Sequence, residues 1–309
     1  MSDHPSRRAA ILKMDPSVRC LEGVEWRSKY LGAGVACLHL VSGVWASRLD
    51  SWVAQVVVAY SVGGTCVQAL FLAIHECTHG LFFSSPRRNM AFAIFVLNSP
   101  ILVPFAVSFR GYHLAHHRCQ GVQGEDTDLP SEWEKRNVVG PLRKLLWLSN
   151  QLLAYAIRPV LVKPERATAS HAVNVVWQLC VNTLLVRLFG WECVRYFLLC
   201  VWLSGGVHPC AGHFLSEHYT QECSAASQDT FSYYGPLNSL TWNVGYHNEH
   251  HDFPRVPWSR LPEVRRRGGC MYSDLRTVPS WPGLLVDFVF DSKWSLRCRR
   301  EGREKRRSS

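Results

Sequence analysis

The sequence is short of charge. Only 19% of its 309 residues are Asp, Glu, Lys or Arg while 47% are apolar, a balance that excludes extensive disorder. It has no C-x-x-C pair, although it has 12 cysteines. Cys37, Cys66, Cys180 and Cys200 lie inside apolar runs, so the cysteines are expected to be reduced thiols acting as small apolar residues, not a disulfide framework. There is no G-x-S-x-G turn and no Gly-rich phosphate loop, which leaves a Ser/His/Asp hydrolase or a phosphate-cradling enzyme nothing to stand on. The first residues, with His4, Arg7, Arg8 and Asp15, lack the apolar core of a signal peptide, so any insertion into a membrane is expected to use internal segments. Internal repeats and low-complexity stretches are absent as well.

What the chain does have is segregated. Its mean hydropathy is near zero (-0.05), yet long uncharged runs alternate with dense Arg, Lys and His stretches. The net charge of +10 lies largely at the two ends and beside apolar runs, which suits anionic lipid headgroups better than nucleic acid. Residues 31–47 and 52–74 are two uncharged runs four residues apart, the pattern of a helical hairpin long enough to span hydrocarbon. Residues 172–190 and 194–207 form a second such pair. The run 90–107 is broken by Asn98-Ser99-Pro100 and Pro104 and reads as a re-entrant or interfacial hairpin. Residues 142–162 carry Arg143, Lys144 and Arg158 and read as an interfacial amphipathic helix. Beyond 208 no stretch can span a bilayer. The expected fold is all-α: one integral membrane domain over 1–309 with about four transmembrane helices. It comprises a polar N-terminal segment (1–30) with a short helix near 6–14, membrane helices and histidine boxes (31–207), a helical cap (208–292) and a basic tail (293–309).

Eight of the 14 histidines fall in three five-residue windows, where uniform scattering would place fewer than one. These are His75-Glu76-Cys77-Thr78-His79, His113-Leu114-Ala115-His116-His117 and His247-Asn248-Glu249-His250-His251. Residues three and four apart share a helix face, so each window is expected to project its imidazoles together. Neutral imidazole ligates Fe, Cu and Zn, and eight rings exceed what one ion takes, so two metals are the economical reading. His213 and His218 follow the last apolar run and offer one further ligand, with His218 favoured. His4, His39 and His171 are assigned no such role. Both membrane hairpins go out and return, so all boxes share one side of the bilayer. Arg7, Arg8, Arg87, Arg88, Arg110, Arg118 and Arg265–Arg267 fall on that side, as a cytosolic face requires.

Rival readings account for less. His75-Glu76-x-x-His79 matches a zinc protease with Glu76 as general base, but leaves six clustered histidines without work. A haem scaffold needs only one or two axial ligands. Soluble carboxylate-bridged di-iron bundles pair Glu-x-x-His motifs, and Glu76–His79 is the only such pair within the windows. Imidazole ligands need outer partners to fix their tautomers, and Glu76, Asp126, Asp128, Glu217, Asn243, Glu249 and Asp252 are the candidates.

Three boxes of the forms H-x-x-x-H, H-x-x-H-H and H-x-x-H-H, separated by membrane segments, resemble the membrane fatty acyl desaturase/hydroxylase superfamily. The chain is similar to its sphingolipid Δ4-desaturases at His4-Pro5-Ser6-Arg7-Arg8, Gly124-Glu125-Asp126-Thr127-Asp128, Ser216-Glu217-His218-Tyr219 and Tyr233-Tyr234-Gly235-Pro236. The most specific stretch runs from Asn243 through His247-Asn248-Glu249-His250-His251 to Pro254. The resemblance covers residues 4 to 292. It implies an oxidoreductase of ceramide biosynthesis in the endoplasmic reticulum, multi-pass, with both termini and the active site cytosolic. Its reaction would convert dihydroceramide to ceramide by placing a 4,5-trans double bond in the sphingoid base. It further implies two Fe ions held by His75, His79, His113, His116, His117, His247, His250 and His251, with His218 as a ninth ligand. O2 and electrons from cytochrome b5 and its reductase complete the reaction; no His-Pro-Gly-Gly haem motif is present, so the donor must dock. C4-hydroxylation of the same substrate is the alternative outcome. Met1-Ser2 lacks the glycine that some relatives myristoylate. Cys77-Thr78 and Gly80 differ from many relatives without touching a ligand.

Overall fold

The computed structural model describes residues 3–220 and 228–301. Met1-Ser2 and the end of the basic tail, with Arg306-Arg307-Ser308-Ser309, lie outside the described residues. Among the described residues the regular structure is helical, with only the isolated bridges Tyr219–Arg299 and Ser232–Thr277. The first helix, α1 (His4–Met14), begins on the Asp3 side chain, which accepts the Ser6 N–H at 2.8 Å. Pro5 occupies its first turn, where a missing N–H costs nothing.

The first apolar pair forms α2 (Ser28–Ala46) and α3 (Trp52–Thr78), packed side by side. Within α3, residues Ala59–Gly63 make one π turn. α4 (Pro86–Phe92) runs into a second π turn, Ala93–Leu97, and the chain then reverses at Asn98-Ser99-Pro100 to enter α5 (Ala106–Cys119). Asn98 is the knot of this reversal. Its Oδ1 accepts the N–H groups of Phe105 and Ala106, and its Nδ2 donates to the Val103 carbonyl. One buried amide thus satisfies the backbone that a break in an apolar run leaves open.

Residues 142–162, expected as one interfacial helix, are two: α6 (Pro141–Ser149) and α7 (Gln151–Val162), bent by 74°. The break is at Asn150, whose N–H returns to the carbonyls of α6 while its own carbonyl accepts the first N–H groups of α7. The pair is amphipathic in an inverted sense: Lys144 and Arg158 are buried, while Leu142, Leu146, Leu153 and Leu161 are exposed. The second apolar pair gives α8 (Ala169–Phe189) and α9 (Trp191–Ser204), turned at Gly190, whose φ of +81° favours glycine. α10 (Gly212–Ser216), α11 (His247–Asp252), α12 (Leu261–Gly268) and α13 (Trp281–Phe290) follow, and short helices at Glu132–Asn137 and Cys270–Ser273 lie between the longer elements.

α3 and α8 are long and apolar enough to cross a membrane alone; α6–α7 and α9–α10 qualify only as bent pairs, which gives two to four spans. The outward faces of α2 and α8 carry Leu38, Val41, Val176 and Leu179, while Asn174 and Gln178 of α8 point inward to Asn98. Apolar outside and polar inside is the pattern expected when lipid is the solvent. Small residues let the helices touch: a Cβ on Gly43 of α2 would lie 2.3 Å from the Phe197 ring of α9, and one on Gly63 would lie 2.3 Å from Cys200 Sγ. Ten described cysteines are free thiols, as expected, but Cys298 is joined in a disulfide. The argument from apolar runs applied to cysteines within helices, and Cys298 lies outside every such run.

Candidate metal centre

Four short pieces of chain bring the histidines together. The last turn of α3 supplies His75 and His79 at i, i+4, α5 supplies the second box, α11 the third, and His218 follows α10 by two residues. The rings sort into two groups. His75, His79, His113, His117 and His250 offer ligand nitrogens within 4.8 Å of one another, and so do His116, His218 and His251; His247 joins His218 at an Nε2–Nε2 distance of 3.0 Å. Neither H-x-x-H-H box projects all its rings together, as the spacing had suggested. In α5 the i, i+4 pair His113/His117 faces the first group and His116 the second. In α11 the pair His247/His251 faces the second group and His250 the first. The helix turns about 100° per residue, so a ring one position off an i, i+4 pair looks past the neighbouring centre.

The contacts within the groups are compatible with metal ligation. Nε2 of His113 lies 2.9 Å from that of His79 and 3.0 Å from that of His117, which is 3.1 Å from that of His250. A neutral ring nitrogen either carries one proton or accepts one, so at most two of these three contacts can be hydrogen bonds. Nitrogens bound to one first-row ion at about 2.0–2.1 Å and at right angles sit about 3 Å apart, which matches. In the second group His116 and His218 are 3.1 Å apart, and the buried Nε2 of His251 has no hydrogen-bond partner. An all-imidazole set with converging nitrogens and an orphaned buried acceptor fits a pair of first-row cations.

Electrostatics keep most rings ready to ligate. Burial holds His79 at about 3, and holds His247 at about 3 against the pull of Glu217. Burial, reinforced by neighbouring rings, takes His113, His117, His250 and His251 well below the ordinary histidine range. His116 is the exception: burial disfavours its charge, but Asp126 outweighs burial and raises it.

Of the candidate outer partners, three face a boxed ring. Asp126 Oδ1 is 3.0 Å from His116 Nδ1, Asp128 Oδ2 is 3.5 Å from the same atom, and Glu217 Oε1 is 3.8 Å from His247 Nδ1. The other four bind the scaffold instead. Glu76 accepts the Trp258 N–H, which turns it from the role of a protease base, and Asn243, in the left-handed region at φ +52°, donates to the Trp258 carbonyl. Glu249 accepts from Ser232 and Tyr234, and Asp252 accepts from Arg7 and Tyr272. His213 is not in either group: its Nδ1 meets Glu217 at 2.8 Å and its Nε2 meets Gln68 at 3.2 Å. His39 is buried against Phe197 and touches no boxed ring.

Three residues given no role from sequence support the site. His4 Nδ1 is 2.6 Å from Asp252, and its ring centroid is 4.9 Å from that of His251. Gln120 donates to the Asp229 carbonyl beside His218, and buried Arg299 approaches Asp126 at 3.9 Å. Their only sequence signal was polarity next to a box (Gln120) or within a motif (His4). On the membrane side, Phe71, Phe105 and Phe109 form a ring cluster that ends against His113, 5.0 Å from Phe109. The site therefore joins a cluster of aromatic rings to two groups of imidazoles that could hold metal.

The comparisons with known proteins agree with this geometry. The chain is 42% identical to the sphingolipid delta(4)-desaturase of Candida albicans, over 98% of this chain and 86% of that protein. It is 42% identical to the enzyme of the same name from Schizosaccharomyces pombe with the same coverage. It is 39% identical to the sphingolipid delta(4)-desaturase/C4-monooxygenase of Rattus norvegicus, over 93% of this chain and 88% of that one. The family sequence model described as fatty acid desaturase matches residues 50–277, spanning all three histidine boxes and the helices that carry them. The chain belongs to the fatty acid desaturase family.

Proposed function

We propose that this protein is a sphingolipid Δ4-desaturase that converts dihydroceramide to ceramide in the endoplasmic reticulum membrane, with its histidine centre on the cytosolic side. The observation that carries the reading is full-length similarity, at 42% identity, to proteins of that name, in a chain where nine of the 14 histidines converge in two groups. His75, His79, His113, His117 and His250 would hold one iron ion and His116, His218, His247 and His251 a second, and the pair would activate O2 for removal of hydrogen from an unactivated CH2. The overall reaction removes two hydrogens across C4–C5. O2 takes up four electrons, two from the substrate and two from the reductase through cytochrome b5, and with the two substrate hydrogens and two protons from solvent leaves as two waters.

The chain's own residues bind, orient and exclude water. Phe71, Phe105 and Phe109 offer methylenes an apolar approach from the membrane helices to the histidines. Asp126 and the Asp229 carbonyl accept from Nδ1 of His116 and His218, which directs each Nε2 lone pair inward. C4-hydroxylation is a second reading, favoured by the rat relative whose name includes C4-monooxygenase. Placement of the substrate against the centre separates the two outcomes.

Expression of the chain in cells without Δ4-desaturase, followed by lipid mass spectrometry, tests both. The expected result is a sphingoid base with a 4,5-alkene. A 4-hydroxy base supports the second reading, and the appearance of neither rejects both. Metal analysis is expected to give two irons per chain; a single zinc would reject the iron assignment.

A further inference from the structure

The two groups of histidines are backed very differently. None of His75, His79, His113, His117 or His250 hydrogen-bonds a carboxylate or a backbone carbonyl among the described residues, and His79, His113 and His117 are only half-buried. In the second group two of four rings are braced. His116 Nδ1 meets Asp126 at 3.0 Å and His218 Nδ1 donates to the Asp229 carbonyl at 3.2 Å; His247 Nδ1 makes no hydrogen bond among the described residues, but the Glu217 carboxylate faces it at 3.8 Å. These groups are themselves held. Asp126 Oδ2 accepts the Gly121 N–H at 2.7 Å with Arg299 behind it, and Glu217 is tied to His213, whose other nitrogen meets Gln68. Gln68 cannot turn away, because its amide donates to the Ser204 carbonyl at 2.7 Å.

Resting on the metal reading above, we infer that the two cation positions are unequal by construction. The position formed by His116, His218, His247 and His251 binds a divalent first-row ion tightly, fills first and empties last. The position formed by His75, His79, His113, His117 and His250 is the labile one. The physical grounds are two. An acceptor on Nδ1 fixes the tautomer that leaves Nε2 free, and raises its basicity, so less ordering remains to be done when the ion arrives. Carboxylates at Asp126, Asp128 and Glu217 also surround the second position with negative charge that offsets a dication, and among the described residues no carboxylate pairs with a ring of the first position.

The test uses the full chain in lipid nanodiscs, stripped with chelator and titrated with Co2+, with visible absorption and metal counting by mass spectrometry as readouts. Two ions are expected to bind in two steps separated by about tenfold or more, the scale of a braced against an unbraced ligand set. Asp126→Asn is expected to weaken the tighter step about 10- to 100-fold and leave the weaker step in place. His79→Gln is expected to abolish the weaker step and spare the tighter. Glu217→Gln, with thermal unfolding as a check on folding, repeats the test by removing the negative charge that faces His247 if Asp126→Asn does not fold. Two steps of equal affinity, or loss of the tighter step in His79→Gln, overturns the inequality while leaving the metal reading intact. Failure to bind any Co2+ overturns both.

Discussion

Arg7 has no exposed surface, yet it belongs to a segment that sequence alone reads as polar and solvated. Its guanidinium donates to both carboxylate oxygens of Asp252, through Nε at 2.6 Å and Nη2 at 2.9 Å. Asp252 also accepts from Tyr272 and meets His4, so three side chains meet on one carboxylate at the end of the third histidine box. Arg7→Ala leaves that carboxylate buried and short of its cation, which typically costs about 3–5 kcal/mol. The expected outcome is a clear fall in the thermal unfolding midpoint of the purified protein, and Arg7→Lys is expected to recover only part of it because a lysine cannot make both bonds. The boxed histidines were legible because i, i+4 spacing is a local signal. Arg7 and His4 were not, since their partner lies about 245 positions away and nothing nearby marks it.

At the scale of elements, α3 and α8, long and apolar enough to cross a membrane alone, were visible as uncharged runs, whereas α2, expected to span, is not among the candidate spans and the bent pair α6–α7, expected at the interface, is; the packing was not visible at all. The approach of α2 to α9 depends on Gly43, where even a methyl group would overlap the buried ring of Phe197. Phe197 is held by Leu102, Leu185, Cys193 and Val194 and has nowhere to go. Gly43→Val is therefore expected to lower stability by about 1–3 kcal/mol through overpacking. Gly34, on the same helix, has nothing within 4 Å of a built Cβ, so Gly34→Ala is expected to be neutral or slightly stabilising. Thermal melts of the two variants side by side check the contrast. The 74° break at Asn150 shows the same limit of local reading. The apolar pattern of 142–162 fits a helix throughout, and only the burial of Lys144 and Arg158 on one side decides where the chain must turn.

At the scale of the whole molecule, one ion pair ties the lipid-facing α6–α7 to the part that holds the histidines. Glu134 accepts from Arg158 and from the Trp147 indole, and Arg158 also donates to the Asp128 carbonyl beside the second cation position. Burial would raise the Glu134 carboxyl, but Arg158 and the indole outweigh it and hold it at about 2. A carboxylate lowered on folding contributes stability that is fully present above its ordinary value near 4.5 and is lost as pH falls through about 2. The thermal midpoint is thus expected to drop as pH falls from 4.5 towards 2, and Glu134→Gln is expected to start lower and drop less. Identical pH profiles for the two proteins would count against the pair. The fold class was legible from composition, since few charges and long apolar runs leave little choice. The joining of membrane and centre was not, because it is made by single buried charges that sequence reads as surface.

The division of the rings between the two cradles also sets an order during synthesis. When the ribosome has released the first half of the chain, four of the five nitrogens of one cradle exist, and only His116 of the other. The cradle with the bracing carboxylates waits for His218, His247 and His251, and α1 has no Asp252 to close on until α11 emerges. The chain therefore has nearly all of the unbraced cradle early in synthesis, and gains the braced one, the position that would fill first, only as translation ends.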